Sequence, residues 1–320
     1  MQIQRSHLSH SPWLGGGAAA LAVVLWALVP LMANQAGDLP PLRLSALALL
    51  AGALGTLPMA RRRRYRDAPL RPMQGLIVYL GVPLLTAGAV GACFAAFSRA
   101  PAEQVALILY TWPVLFLLVS QWRALGRLPG NCLIGTALAF SGAALLVAPQ
   151  ALAGGISGAW SGYLLAALGA LCWALYSLAN QVAAWRLGER MPHLLLIASL
   201  LTGGASLALE GTIVLPSRDA LMTVVALGLG PYGLAMLAWD RAMRDPLAHR
   251  VGNLAHAVPV LATLFLVLAG ISMPDWRLPV AALLVVAGSL TASAEPRLRH
   301  GAAPEGVFAA AKRICLLVRD

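Results

Sequence analysis

ALAVVLWALV (residues 20–29) and ALGALCWALY (residues 167–176) decide the fold. Five of their ten positions are identical, Trp26 and Trp173 among them, at an offset of 147 residues. Two more pairs keep nearly that offset: FAAFSRAP (94–101) with WDRAMRDP (239–246), and WPVL (112–115) with VPVL (258–261). Small residues also recur as a seam, Gly135 and Gly142 in the first half, Ala281 and Gly288 in the second. The chain reads as two copies of one unit.

Both copies are too apolar for a water-soluble protein. Of 320 residues, 59% are hydrophobic and 11% charged, with a mean hydropathy of +0.77; a soluble domain carries about 25% charged residues. Disordered and collagen-like chains are excluded as well. Ten apolar runs approach the roughly 20 residues that a helix needs to cross a bilayer core: 14–33, 41–60, 74–98, 102–120, 130–149, 161–183, 193–209, 220–239, 251–271 and 278–294. The first run exceeds the roughly 7–15 residues of a signal-peptide core and belongs to the repeat, so it is read as a span.

Arginine sets the direction. The net charge is +11, and 22 of the 23 basic residues are arginine. With the N-terminus in the cytoplasm, 19 basic residues fall inside and three outside (Arg99, Arg218 and Arg277), as the positive-inside rule requires. The run RRRRYR (61–66) then anchors topology and is no nucleic-acid patch. Five spans per copy is an odd number, so the second copy enters the membrane upside down, a layout of many secondary transporters. The expected fold is an all-α integral membrane protein of the inner (plasma) membrane. Ten transmembrane helices come from two inverted five-helix repeats, with both termini cytoplasmic. The expected divisions are a tail over 1–13, repeats over 14–149 and 161–294, and a tail over 295–320. In the last tail Val307, Phe308, Ala311, Ile314 and Leu317 have the spacing of a helix lying on the inner leaflet.

The polar residues argue against an enzyme. All twelve acids fall in loops, in tails or at span ends, so no pair of carboxylates and no metal-ligand cluster is in reach. Cys93, Cys132, Cys172 and Cys315 form no CxxC pair and read as small apolar filler. No cofactor or metal is expected. A buried carboxylate, the usual carrier of proton or sodium coupling, is missing. His256, well inside span nine, is either a neutral core histidine or a substrate contact or proton relay. Arg43, near the outer end of span two, is expected to pair structurally.

Six tryptophans, Trp13, Trp122, Trp160, Trp185, Trp239 and Trp276, lie at span ends, where an aromatic belt is expected. Trp26, Trp112 and Trp173 lie near mid-span, where an indole N–H needs a partner or a wet cavity. Gly169, Trp173, Tyr176 and Asn180 share one helical face of span six. So do Gln104, Ile108 and Trp112 on span four, and Tyr232, Met236 and Trp239 on span eight; Asn253 and His256 lie one turn apart on span nine. Each stripe is either cavity lining or contact between helices. Pro83, Pro113, Pro231 and Pro259 interrupt spans three, four, eight and nine in two matching sets, as kinks that serve gating or packing.

These residues resemble the EamA-type drug/metabolite transporter superfamily, over about residues 14–294. The resemblance rests on Trp26, Arg43, FAAFSRAP, YTWPV (110–114), AWDRAMRDP (238–246) leading to Pro259, and the small-residue fifth and tenth spans. YTWPV, GALCWALYSLANQ (169–181) and GPYGLAMLAWDRAM (230–243) look like its aromatic amino-acid exporter branch. The resemblance implies export of amino acids or similar metabolites through an aromatic-lined central cavity. It puts Tyr79, Trp112 and Trp173 in that cavity, with Trp26, Tyr176 and His256; Asn180, on the polar face of span six, and His256 are expected to hydrogen-bond the substrate. Two departures stand out: QWRALGRLP (121–129) lacks the usual acid after span four, and position 256 is His where an aromatic is expected. The expected partners are a small-molecule substrate and membrane lipid, with no nucleic acid; a monomer is compatible, and the oligomeric state stays open. The alternatives are a proton-linked drug or sugar-type exporter, an integral-membrane enzyme acting on lipid-linked substrates, and a non-transporting scaffold.

Overall fold

The computed structural model describes residues 12–37, 39–62, 70–152, 159–182, 185–211, 216–243, 255, 257–271, 273 and 275–294. All regular structure among them is helical. In chain order the elements are α1 (Pro12–Ala27), α2 (Val29–Asn34), α3 (Pro41–Arg62), α4 (Pro72–Leu76), the π-helix π1 (Ile77–Gly81), α5 (Val82–Phe97), α6 (Ala102–Leu109) and α7 (Trp112–Leu125). There follow α8 (Gly130–Leu152), α9 (Trp160–Asn180), α10 (Leu187–Leu209), α11 (Arg218–Leu227), the π-helix π2 (Gly228–Leu234), α12 (Ala235–Met243), α13 (Val258–Leu268) and α14 (Arg277–Ser293).

Six segments among the described residues are long and apolar enough to cross a membrane: Gly16–Asn34, Pro41–Pro58, Pro72–Phe97, Trp160–Asn180, Leu187–Leu209 and Arg218–Ala242. At about 1.5 Å per residue, the 21 residues of α9 reach the roughly 30 Å of a hydrocarbon core. Leucines that face outward along α9 and α10, such as Leu164, Leu168, Leu200 and Leu207, are exposed, as a lipid-facing surface requires.

Several spans are not the continuous helices that their hydropathy suggests, and proline is the reason. Pro30 opens α2 after a break at Leu28, and Pro113 opens α7 after a break at Tyr110 and Thr111. Pro259 is the second residue of α13. Proline has no N–H, so it suits the first turn of a helix, where no intrahelical acceptor is needed, and disrupts an interior. Pro83 is the second residue after π1 and Pro231 lies inside π2, so in these spans the misfit is absorbed as one wide turn.

A second difference concerns charge. Span seven begins at Leu187 rather than 193, and span eight runs on to Met243 rather than 239. Glu189, Arg190 and Asp240 therefore sit inside helices and are buried. A hydropathy window ends at charges; a helix does not, when those charges find partners across the bundle.

α3 lies along α10, α5 along α9, α1 along α12, and α8 along α14. The α8–α14 contact is the small-residue seam. A Cβ at Gly135 would overlap the Gly288 carbonyl and the Ala292 amide, and a Cβ at Gly288 would overlap the Gly135 carbonyl and the Ala139 amide. Close backbone approach of this kind is how helices associate where lipid gives no hydrophobic drive. α3 is held at its start by α10: both Glu210 carboxylate oxygens accept backbone N–H groups, Leu42 at 2.7 Å and Arg43 at 3.1 Å. Arg43 Nη2 donates to the Gly211 carbonyl at 3.3 Å, the structural pairing expected of it. The largest buried cluster lies at the centre of the bundle and includes Trp26, Trp112, Tyr176, Tyr232 and Trp239.

Candidate functional site: a tryptophan-walled cavity at the helix breaks

A cavity opens where the helices break. Its walls are Trp26, Val29, Cys93, Leu109, Tyr110, Trp112, Trp173, Tyr176, Ser177, Tyr232 and Trp239. Trp26 and Val29 flank the α1–α2 break, and Tyr110 and Trp112 the α6–α7 break. Tyr232 belongs to π2.

The breaks supply hydrogen-bonding groups that a regular helix would consume. Pro30 has no N–H to give the Trp26 carbonyl four residues back. The Tyr110 hydroxyl takes that place at 2.8 Å. In π2 the Ala235 N–H reaches back five residues to the Gly230 carbonyl, so the Pro231 carbonyl loses its usual donor. The Trp26 Nε1–H donates to it at 3.1 Å. Two freed carbonyls from two helices thus each find a side-chain donor, Tyr110 for one and Trp26 for the other, as buried backbone demands.

Trp26 is the hub of the ring cluster. Its centroid lies 5.3 Å from Trp239, 6.1 Å from Trp173 and 6.4 Å from Trp112. Trp112 also meets Trp239 edge-on at 6.2 Å, Trp173 meets Tyr176 at 5.5 Å, and Tyr232 meets Phe94 at 6.1 Å. Edge-to-face geometry at these separations is favourable for aromatic pairs. Among the described residues, none of those lining the cavity is charged. The site offers ring faces, hydroxyls and indole N–H groups, the chemistry for a small amphipathic solute of no net charge.

The EamA-like transporter family matches residues 13–148. The aromatic amino acid exporter YddG of Ancylobacter novellus is 31% identical over 277 residues, covering 85% of this chain and 94% of that protein. A crystal structure at 29% identity superposes with a TM-score of 0.67, covering 87% of this chain and 97% of the other. The chain belongs to the EamA-like transporter family. It is a multi-pass transporter of the inner membrane, not an enzyme.

Of the residues expected at the site, the transporter brings four together: Trp26, Trp112, Trp173 and Tyr176. Tyr79 is not in the cavity wall. It is 37% exposed on π1 and carries Arg190, whose Nη1 donates to the Tyr79 hydroxyl and whose guanidinium lies 5.5 Å from the ring centre. Asn180 lies one turn beyond Tyr176 and donates to that residue's carbonyl at 3.1 Å, outside the cavity lining. His256 and Asn253 lie outside the described residues, as do Cys315 and the C-terminal tail. Pro113 and Pro231 adjoin the lining residues Trp112 and Tyr232, while Pro83 and Pro259 are buried at the starts of α5 and α13.

Trp239 requires a correction. A place in the aromatic belt fits Trp122, Trp160 and Trp276, all exposed, but Trp239 is 5% exposed and lines the cavity. α12 continues beyond it, so it is not at a helix end. Its spacing from Tyr232 and Met236 is the usable signal. Tyr110 and Cys93 carry none, because their positions depend on a break and on a neighbouring helix.

Proposed function

We propose that this transporter exports small neutral amphipathic metabolites, aromatic and other neutral amino acids, by alternating access through the tryptophan-walled cavity. The observation that carries the reading is the uncharged aromatic lining centred on Trp26. Ring faces stack an apolar side chain and attract an ammonium, and hydroxyl and indole donors meet a carboxylate. The relative named an aromatic amino acid exporter supports the same substrate class.

The architecture we propose is ten helices in two inverted repeats over 14–149 and 161–294, with cytoplasmic termini. Exchange of the two halves pairs α5 with α12 and α9 with α1. The α5–α9 contact then maps onto the α12–α1 contact, and α3–α10 and α8–α14 each map onto themselves. π1 lies just before Pro83 and π2 contains Pro231, in exchanged spans. Such symmetry supports rocking of one half against the other about a central site.

The test is uptake of labelled tryptophan, phenylalanine and threonine into proteoliposomes, with and without a pH gradient. The expected outcome is saturable uptake of tryptophan and phenylalanine without a gradient. Absence of uptake from folded protein under every gradient sinks the amino-acid reading. Uptake strictly dependent on the gradient favours the proton-linked exporter.

A further inference from the structure

Beside Trp239, and outside the cavity lining, lies a set of polar contacts that stacking of a substrate does not call for. Asp240 is 8% exposed, and its Oδ1 accepts the Gly188 N–H at 3.1 Å, in the first turn of α10. A Cβ at Gly188 would overlap the Asp240 carboxylate, so only glycine admits the acid at this distance. Two residues on, Arg190 donates from Nη1 to the Tyr79 hydroxyl of π1 and from Nε to the Trp185 carbonyl at 3.2 Å. Arg186 holds Glu189 at 2.8 Å. The start of α10 is thereby tied to α12 through Gly188 and to π1 through Arg190.

These ties join a wall of the cavity to a helix that is not part of it. α12 contributes Trp239 to the lining, and α10 contributes nothing. The contacts sit at the helix ends that adjoin the arginine-bearing connections Arg186–Arg190 and Arg241–Arg250, on the side that the charge bias assigns to the cytoplasm. A carboxylate on the N-terminal amides of a helix is favoured by the helix dipole and by a charge-assisted hydrogen bond. It is also a contact that water can replace once the helices part, which an apolar interface is not.

We propose that the Asp240 carboxylate on the Gly188 amide is the latch of the cytoplasmic gate. It holds α12, and with it Trp239, against α10 while the inner end is closed, and it breaks when the cavity opens inward. Arg190 on Tyr79 is the second tie of the same gate. Asp240 is a positioning residue for Trp239 and does not touch the substrate. This inference rests on the cavity being the transport path, but not on which solute passes.

The test uses full-length protein in membrane vesicles with Cys132, Cys172 and Cys315 replaced by Ser, leaving Cys93, which is buried in the cavity wall. A membrane-impermeant maleimide is presented to each face in turn. Asp240→Ala and Gly188→Ala are expected to label roughly tenfold faster than the parent from the arginine-rich face, the change in open population expected from losing one charge-assisted hydrogen bond. From the opposite face the rate is expected not to change. Asp240→Asn keeps an acceptor oxygen and is expected to stay within about threefold of the parent, since a neutral bond is weaker than a charged one. Unchanged labelling in Gly188→Ala, or equal acceleration from both faces, overturns the latch. The readout involves no substrate, so failed uptake of amino acids leaves this result standing, and the reverse also holds.

Discussion

Trp26 and Trp239, from opposite halves of the chain, meet with ring centroids 5.3 Å apart and planes inclined at 58°. This contact joins the α1–α2 break to the helix that follows π2, and Trp26 adds a hydrogen bond to the Pro231 carbonyl of π2 itself. One side chain therefore couples two irregular spans. Any motion that opens the cavity must rearrange it.

Trp26→Ala removes three ring contacts and the donor to Pro231. The expected loss of stability is about 3–5 kcal/mol, as for other buried Trp truncations, with uptake abolished. Trp26→Phe keeps an aromatic ring but loses the N–H and part of the indole's bulk, at a cost of about 1–3 kcal/mol. Thermal unfolding in detergent beside proteoliposome uptake separates the two. A Trp26→Ala protein that melts with the parent contradicts the hub assignment.

Trp173 is half-buried, and its ring meets only Trp26 and Tyr176 among the aromatic contacts. Trp173→Ala is expected to raise KM for an aromatic substrate about 2- to 30-fold, the range of one stacking or cation–π contact. Its melting temperature should fall less than that of Trp26→Ala. Initial uptake rates against substrate concentration decide this; an unchanged KM removes Trp173 from the substrate path.

At Gly135 and Gly288 the seam between α8 and α14 leaves no room for a side chain. Gly135→Ala and Gly288→Ala each push a methyl group into the backbone of the other helix, with an expected loss of about 1–3 kcal/mol. Gly204→Ala, where a Cβ meets nothing within 4 Å, is the control and is expected to stabilise by up to about 1 kcal/mol through helix propensity. Melting temperatures of the three variants give the order.

Glu210 caps α3 from another helix and also accepts the Ser206 hydroxyl at 2.7 Å. Glu210→Ala leaves the Leu42 and Arg43 amides without that acceptor, and loss of a cap costs about 0.5–2 kcal/mol. Glu210→Gln keeps one acceptor oxygen and is expected to fall between. Because α3 and α10 supply no residue to the cavity, KM should be unchanged in both variants while the melting temperature drops.

Membrane character is fully legible in the amino-acid sequence, as are four of the cavity residues. Trp26, Trp112, Trp173 and Tyr176 are costly to bury in apolar spans unless something receives them, so their mid-span position is itself the signal. Arg43 is legible for the same reason. Tyr79 marks the limit of carrying positions over from a resemblance: its hydroxyl and ring engage Arg190, and it is not in the cavity wall. Glu189 and Asp240 stand too close to the ends of the apolar runs to be recognised as buried.

The sequence by itself determined the solvent of this protein, the approximate positions of its apolar spans and some of the places where proline interrupts a helix. The break before Pro30 and the unbroken passage of α3 and α10 through Pro58 and Pro192 were decided by the tertiary structure. Transfer of a side chain into lipid, charge bias and the missing amide of proline are local properties that need no neighbour. Only the tertiary structure decided what the breaks are for. The carbonyls released at Trp26 and Pro231 find their donors on other helices, Tyr110 and Trp26, and Asp240 finds its partner at the start of α10. Which partner arrives is set by helix phase and by how closely glycine lets backbones approach, and neither is written at any single position.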